Sequence, residues 1–161
     1  MTWKSMPPAE LCDIMDFWIA APWPMSKDEA QQRAVERFGW TIEVENDTPY
    51  LMNTVSNFTT ADVMTIDYKN VMMDLSLDTS DTIREVTPES TAFLGDAHTL
   101  MVREGEARWG KPKLEHFEET TTALWNVDGG AIVSFSFLPR GLSAEYETPQ
   151  GAELERKSGD R

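Results

Sequence analysis

Residues Thr120 to Thr148 constrain the fold most, because they read as three strands joined by two turns: TTTALWNV, DGG, AIVSFSFLP, RG, LSAEYET. Asp128-Gly129-Gly130 is a strong hairpin signal, since Asp and Gly tolerate the positive φ of tight turns. In the middle run Ala131, Val133, Phe135 and Phe137 alternate with Ile132, Ser134, Ser136 and Leu138. One face is wholly apolar and the other carries two serines, the pattern of a half-buried strand. A C-terminal meander is the economical reading. Nothing in it is a nucleophile, a metal cluster or a phosphate loop.

The preceding residues add helices and further strands. Leu11, Ile14, Met15, Trp18 and Ile19 form an amphipathic stripe, so the spacing predicts a helix from Pro8 to Ala20 that Pro22 and Pro24 stop. Ser26 to Glu29 reads as a capping box, and Gly39 closes a second helix whose inward residues are Ala30, Ala34, Val35 and Phe38. The short linker favours a helical hairpin. After Trp40 the period falls to two: Ile42 and Val44 in one strand, a turn over Asn46 to Pro49, then a weaker strand from Tyr50 to Ser56. Val63–Tyr68 and Val71–Asp78 pair around Lys69-Asn70, with Val71, Met73, Leu75 and Leu77 facing inward. Thr87-Pro88-Glu89 starts a long helix reaching about Trp109, with Phe93, Ala97, Leu100, Met101 and Ala107 inward and a break possible at Gly95. The expected fold is α+β: an antiparallel sheet of six or seven strands, with the helical hairpin and the long helix packed on one face. Residues 1–149 make one domain, and 150–161, lacking periodicity, read as a flexible tail.

Composition narrows the partners. The 161 residues carry 14 basic and 28 acidic groups, a net charge of -14 that repels nucleic acid and anionic membranes and favours a basic partner. No window approaches a membrane span or a signal peptide, and Cys12 is alone, so the chain reads as cytoplasmic. Residues 41–90 hold 2 basic and 10 acidic groups. Glu43, Glu45, Asp74, Asp78, Glu145 and Glu147 all fall opposite the apolar face of their strands, so a shared sheet would have an acidic open face.

Catalytic and metal motifs fare poorly. His98 and His116 have no His or Cys at ligand spacing, and Cys12 lies beside an apolar stripe as a structural thiol does. Asp74, Asp78, Asp81 and Glu85 are the densest acidic run but lack the spacing of a calcium loop. Glu118 and Glu119 would point to opposite faces of a strand. No metal and no cofactor is expected. Of the tryptophans, Trp3 and Trp23 lie in irregular segments where a ring can be left exposed.

Phe38-Gly39-Trp40, Arg108-Trp109-Gly110-Lys111-Pro112, the pattern W-x-x-x-G-G from Trp125 to Gly130, and Thr148-Pro149 occur in an order that resembles a family of small actinobacterial proteins of unassigned biochemistry. That family is similar to immunity factors of secreted toxins, such as the factor against tuberculosis necrotizing toxin, an NAD glycohydrolase. The resemblance implies a non-enzymatic antitoxin that covers the active site of a toxin, an NAD glycohydrolase or a nuclease, and it transfers no inhibitory residue. The residues expected to meet a basic toxin domain are Glu43, Glu45, Asp74, Asp78, Asp81, Glu145 and Glu147, with Trp3 and Lys4 of the N-terminal arm entering its cleft. The alternatives are a small-molecule-binding module near Trp109 and Trp125, and a metal-dependent enzyme using the carboxylates of Asp78 to Glu85.

Overall fold

A computed structural model describes residues 2–159. Helix α1 (Pro8–Ala20) starts on proline, and α2 (Lys27–Phe38) is capped by Ser26 Oγ, which accepts the Glu29 N–H at 3.1 Å. The reciprocal half of that box is replaced: the Glu29 carboxylate turns to Arg33, one helical turn on. Gly39, at φ 75°, ends α2 in the left-handed cap expected. Strands β1 (Thr41–Glu45) and β2 (Thr48–Met52) are joined by Asn46-Asp47, and β3 (Asp62–Tyr68) and β4 (Val71–Asp78) by Lys69-Asn70. All four turn residues have positive φ, as two-residue hairpin turns matched to the strand twist require. The first turn is therefore tighter than expected, and Pro49 lies within β2.

Helix α3 (Pro88–Trp109) follows, then β5 (Lys113–Phe117), β6 (Thr120–Asn126), β7 (Ile132–Leu138), β8 (Gly141–Glu147) and α4 (Pro149–Ser158). The sheet is antiparallel with eight strands in the order β1-β2-β3-β4-β8-β7-β6-β5. The additional strand is β5, whose five residues are all exposed and so carry no inside–outside alternation to read. Glu118 and Glu119 form the β5–β6 turn, Glu118 at φ 55°, not strand positions.

Two predicted faces shift. In β4 the register against β3 skips Met73, a bulge that puts Met72 into the core beside Leu75 and Leu77. In α3 the buried stripe is Ser90, Leu94, His98, Met101 and Gly105; Leu100 and Ala107 are exposed. The helix runs unbroken because its glycines admit rings: a Cβ on Gly95 would meet Phe137 at 3.4 Å, and one on Gly105 would lie 2.7 Å from the Trp125 indole. Trp23 is tied down, stacking on Tyr146 at 5.6 Å and donating to the Trp18 carbonyl at 2.7 Å.

The largest difference is the C-terminal segment. Residues 150–158 continue helix α4 in place of an irregular tail, started by Thr148-Pro149, the same cap-and-proline pair as Thr87-Pro88. Thr148 donates its N–H to the Met73 carbonyl at 3.0 Å and its hydroxyl to the Met72 carbonyl at 2.8 Å, while its Oγ1 accepts the Gly151 N–H. A Cβ at Gly151 would collide with the Met73 carbonyl, so the bulge and the glycine together set the docking of the helix.

The core lies between the sheet and the layer formed by α1, α2 and α3. Arg108 of α3 ties the helices together: its guanidinium donates to Asp13 at 2.7 Å, Asp16 at 2.9 Å and Glu104 at 2.9 Å, while Trp109 Nε1 donates to Asp16. Phe135, 1% exposed, has its ring edge-on to both Trp109 and Trp125. Phe135→Ala is expected to cost about 3–5 kcal/mol. Chemical denaturation checks this, and a loss below about 1 kcal/mol would refute the packing.

Candidate protein-binding face

Strand register decides which side chains share the face away from the three-helix layer. Glu43 lies opposite Tyr50, Met52 opposite Asp62, Met64 opposite Ser76, Ile66 opposite Asp74, Ser76 opposite Glu145 and Asp74 opposite Glu147. The six acids singled out by strand alternation therefore point to one side of one sheet. They do not share one environment, because α4 packs against β4, β8 and the Asp128–Gly130 turn on that same side.

Under α4 the face is closed. Ile132, Ser134 and Glu147 are buried there, so at this end β7 is covered on both faces and not half-buried as its alternation predicts. Across the β4–β8 ladder Asp74 lies directly opposite Glu147 and diagonal to Glu145, so three carboxyl groups crowd together. Burial first, then Glu145, with Glu147 and Glu155 of α4 adding like charge, pushes Asp74 up to about 9. Asp74, Glu145 and Glu147 thus form a covered carboxyl cluster, not part of an exposed landing area.

Beyond α4 the face is uncovered. Glu43, Glu45 and Asp62 are exposed, and Asp78 is half-buried, with burial and the neighbouring Asp62 raising its carboxyl above the usual range. Between these carboxylates stand Tyr50, 49% exposed, Met64, 61% exposed, and Ile66, 49% exposed. Asp62, Tyr50, Met64 and Ile66 were not singled out from sequence. Asp62 had the same signal as Asp78, alternation with a buried Val63, whereas exposed apolar side chains on a strand carry no signal of their outward facing.

Trp3, Lys4 and Asp81 form a third, separate group. Asp81 is buried and clasps the N-terminal arm: its Oδ2 accepts the Lys4 N–H at 2.7 Å and its Oδ1 accepts the Thr59 N–H at 3.1 Å. Lys4 Nζ lies 3.6 Å from the same carboxylate, and Trp3 packs on Phe93 at 5.6 Å. A cleft of about 770 Å³ opens beside them, with Phe58 and Arg84 also in its wall. Trp109 and Trp125 fill their space with each other at 5.2 Å, and their indole N–H groups donate to Asp16 and the Gly110 carbonyl. Among the described residues, no three His, Cys, Asp or Glu side chains converge to hold a metal ion. Cys12 is fully buried, which pushes its thiol up to about 12. His98 is buried with Nε2 3.0 Å from the Phe135 carbonyl, and burial lowers its pKa, so it sits as a neutral donor in the core. No helix among the described residues is long and apolar enough to cross a membrane.

Asp74 makes the pH dependence testable. Its folded carboxyl binds a proton up to about 9, against a usual value of 3.8, so the stability present below about pH 4 is lost as pH rises through that window. Asp74→Asn is expected to raise Tm at pH 8 and leave it nearly unchanged at pH 4; an equal shift at both pH values in thermal unfolding would contradict the assignment. No curated protein and no solved structure matches the chain. A family described as of unknown function, DUF6301, matches residues 9–148, and the chain belongs to that family.

Proposed function

We propose that this protein is a stoichiometric, non-enzymatic binding protein that receives a basic protein on the uncovered part of its sheet, acting as an immunity protein that covers a toxin domain. The observation that carries this reading is the composition of that surface: Tyr50, Met64 and Ile66 exposed among Glu43, Glu45, Asp62 and Asp78. Interface centres combine apolar and aromatic anchors with a polar rim, and an acidic rim selects a basic partner and speeds its approach. The net charge of -14 adds a long-range component to the same attraction.

The test is co-purification from the native host with the toxin encoded beside it, followed by protection of cells that express that toxin. Absence of a one-to-one complex, or of protection, would sink the reading. The double reversal Glu43→Lys and Asp62→Lys is expected to slow association about tenfold at low salt and to leave dissociation nearly unchanged. Stopped-flow kinetics at two ionic strengths measures this, and equal rates for both proteins would mean that the acids only keep the chain soluble.

A second reading is favoured by the cleft beneath the N-terminal arm, whose volume of about 770 Å³ lies in the range of ligand pockets, roughly 300–1,000 Å³. Trp3 and Phe58 supply ring faces there, Lys4 is paired with Asp81, and Arg84 stands among Glu85 and Glu89, a set suited to an aromatic compound whose carboxylate meets Arg84. Aromatic carboxylates that raise Tm of the wild type but not of Arg84→Glu would support this reading; no shift with any of them would reject it.

A further inference from the structure

The ladder between β2 and β3 stops early, and one proline explains why. Asn53 donates its N–H to the Ala61 carbonyl at 2.7 Å, which sets the phase of this antiparallel pair. Hydrogen-bonded partners recur at every second residue, so Leu51 and Val63 form the next rung and Pro49 would face Thr65 in the one after. Pro49 has no N–H to give. Its carbonyl accepts Gln31 Nε2 of α2 at 3.2 Å. The paired register of β2 with β3 ends at Leu51 and Val63, although β3 continues to Tyr68. The Thr65 carbonyl therefore receives no donor from residue 49.

A cleft of about 340 Å³ lies at this place, walled by Tyr50, Met64 and Thr65 and rimmed by Glu43, Glu45 and Asp62. Lys27, at the start of α2, is the one cation in its lining, so three carboxylates outweigh it. The volume is near the lower end of ligand pockets, roughly 300–1,000 Å³, which suits a long side chain and the short stretch of backbone that carries it. Tyr50 and Met64 offer apolar surface to an alkyl stem while the carboxylates meet its charged end.

We propose that this cleft seats an extended, basic segment of the partner protein, which adds to the free side of β3 with a backbone N–H on the Thr65 carbonyl and an arginine or lysine side chain among Glu43, Glu45 and Asp62. Strand addition supplies affinity through the main chain, and the acid-lined recess supplies selectivity. This inference rests on the reading that a basic protein docks on the open face, and it names where and in what form.

Two substitutions address the cleft apart from the charge of the face. Pro49→Val supplies the missing N–H and lets the ladder close, without altering any carboxylate. Met64→Arg, at an exposed position, places a cation of this chain in the recess and serves if the first variant folds poorly. The probe is acetyl-Thr-Arg-Val-Arg-Thr-amide, compared with the same peptide carrying glutamate for arginine, followed by amide NMR shifts of the full chain. The arginine peptide is expected to shift Tyr50, Met64 and Thr65 saturably, to bind at least about tenfold more weakly to each variant, and to be indifferent to Asp128→Lys at the distant turn; the glutamate peptide is expected to shift none of them. Shifts spread evenly over all acidic positions, binding insensitive to both variants, or no shift at millimolar peptide would overturn the proposal. With the toxin itself, binding weakened by Glu43→Lys and Asp62→Lys but untouched by Pro49→Val and Met64→Arg would overturn the cleft and leave face docking standing. Indifference to all four would overturn both.

Discussion

The pairing of β4 with β8 holds the architecture together. It joins two four-stranded meanders, β1 to β4 and β8 back to β5, that are otherwise linked through the long excursion of α3. Along this seam Leu75 faces Tyr146 and Leu77 faces Ala144 on the core side, while Asp74 faces Glu147 on the other. The apolar rungs supply the driving force, and the acidic rung opposes it. Like charges directly across an antiparallel pair are destabilising, and burial under α4 enlarges the cost until Asp74 keeps its proton. The central seam is thus a compromise that uniform apolar packing would have avoided.

The open face is divided by that compromise. Near the seam, α4 packs over it and gathers three of the acids into a cluster in which Glu147 is buried and Asp74 and Glu145 are half-buried; toward β1 it remains open, and there the carboxylates keep their long-range field beside apolar side chains that water covers poorly. A soluble chain tolerates scattered exposed hydrophobes, but a contiguous group rimmed by one sign of charge is a different kind of surface. Pro49 adds a local irregularity to it, because a residue that cannot donate leaves its neighbour strand with unused hydrogen-bonding capacity.

Much of the fold was legible from local chemistry. Pro8, Ser26, Gly39 and Thr87-Pro88 mark helix ends through caps and fixed φ, and Lys69-Asn70 and the alternation of β7 set turns and facing. Three things were not legible. The Met73 bulge inserts one residue and reverses the phase of what precedes it, which periodicity reads straight through. Strand β5 owes its existence to pairing with β6, since its own residues bury nothing. Helix α4 had a signal in Thr148-Pro149, yet few apolar residues to form a stripe, because Gly151 and Ala152 pack by smallness. The common facing of the acids followed from alternation alone; which of them stay exposed depended on α4, and so Asp74, Glu145 and Glu147 parted from Glu43 and Glu45. The clasp of Lys4 by Asp81 joins residues 77 positions apart, a separation that no local pattern reports.

Helix α3 shows what two glycines can do beyond costing helix propensity. Gly95 lies over Phe137 and Gly105 over Trp125, rings on neighbouring strands β7 and β6. Ten residues of helix span about 15 Å, so these are two notches on one shaft, each engaged by a tooth of the sheet. A single notch would leave the helix free to pivot; two remove both rotation about its axis and sliding along it. The face presented to α1, where Arg108 gathers its three carboxylates, is thereby indexed to the strands on the opposite side of the core.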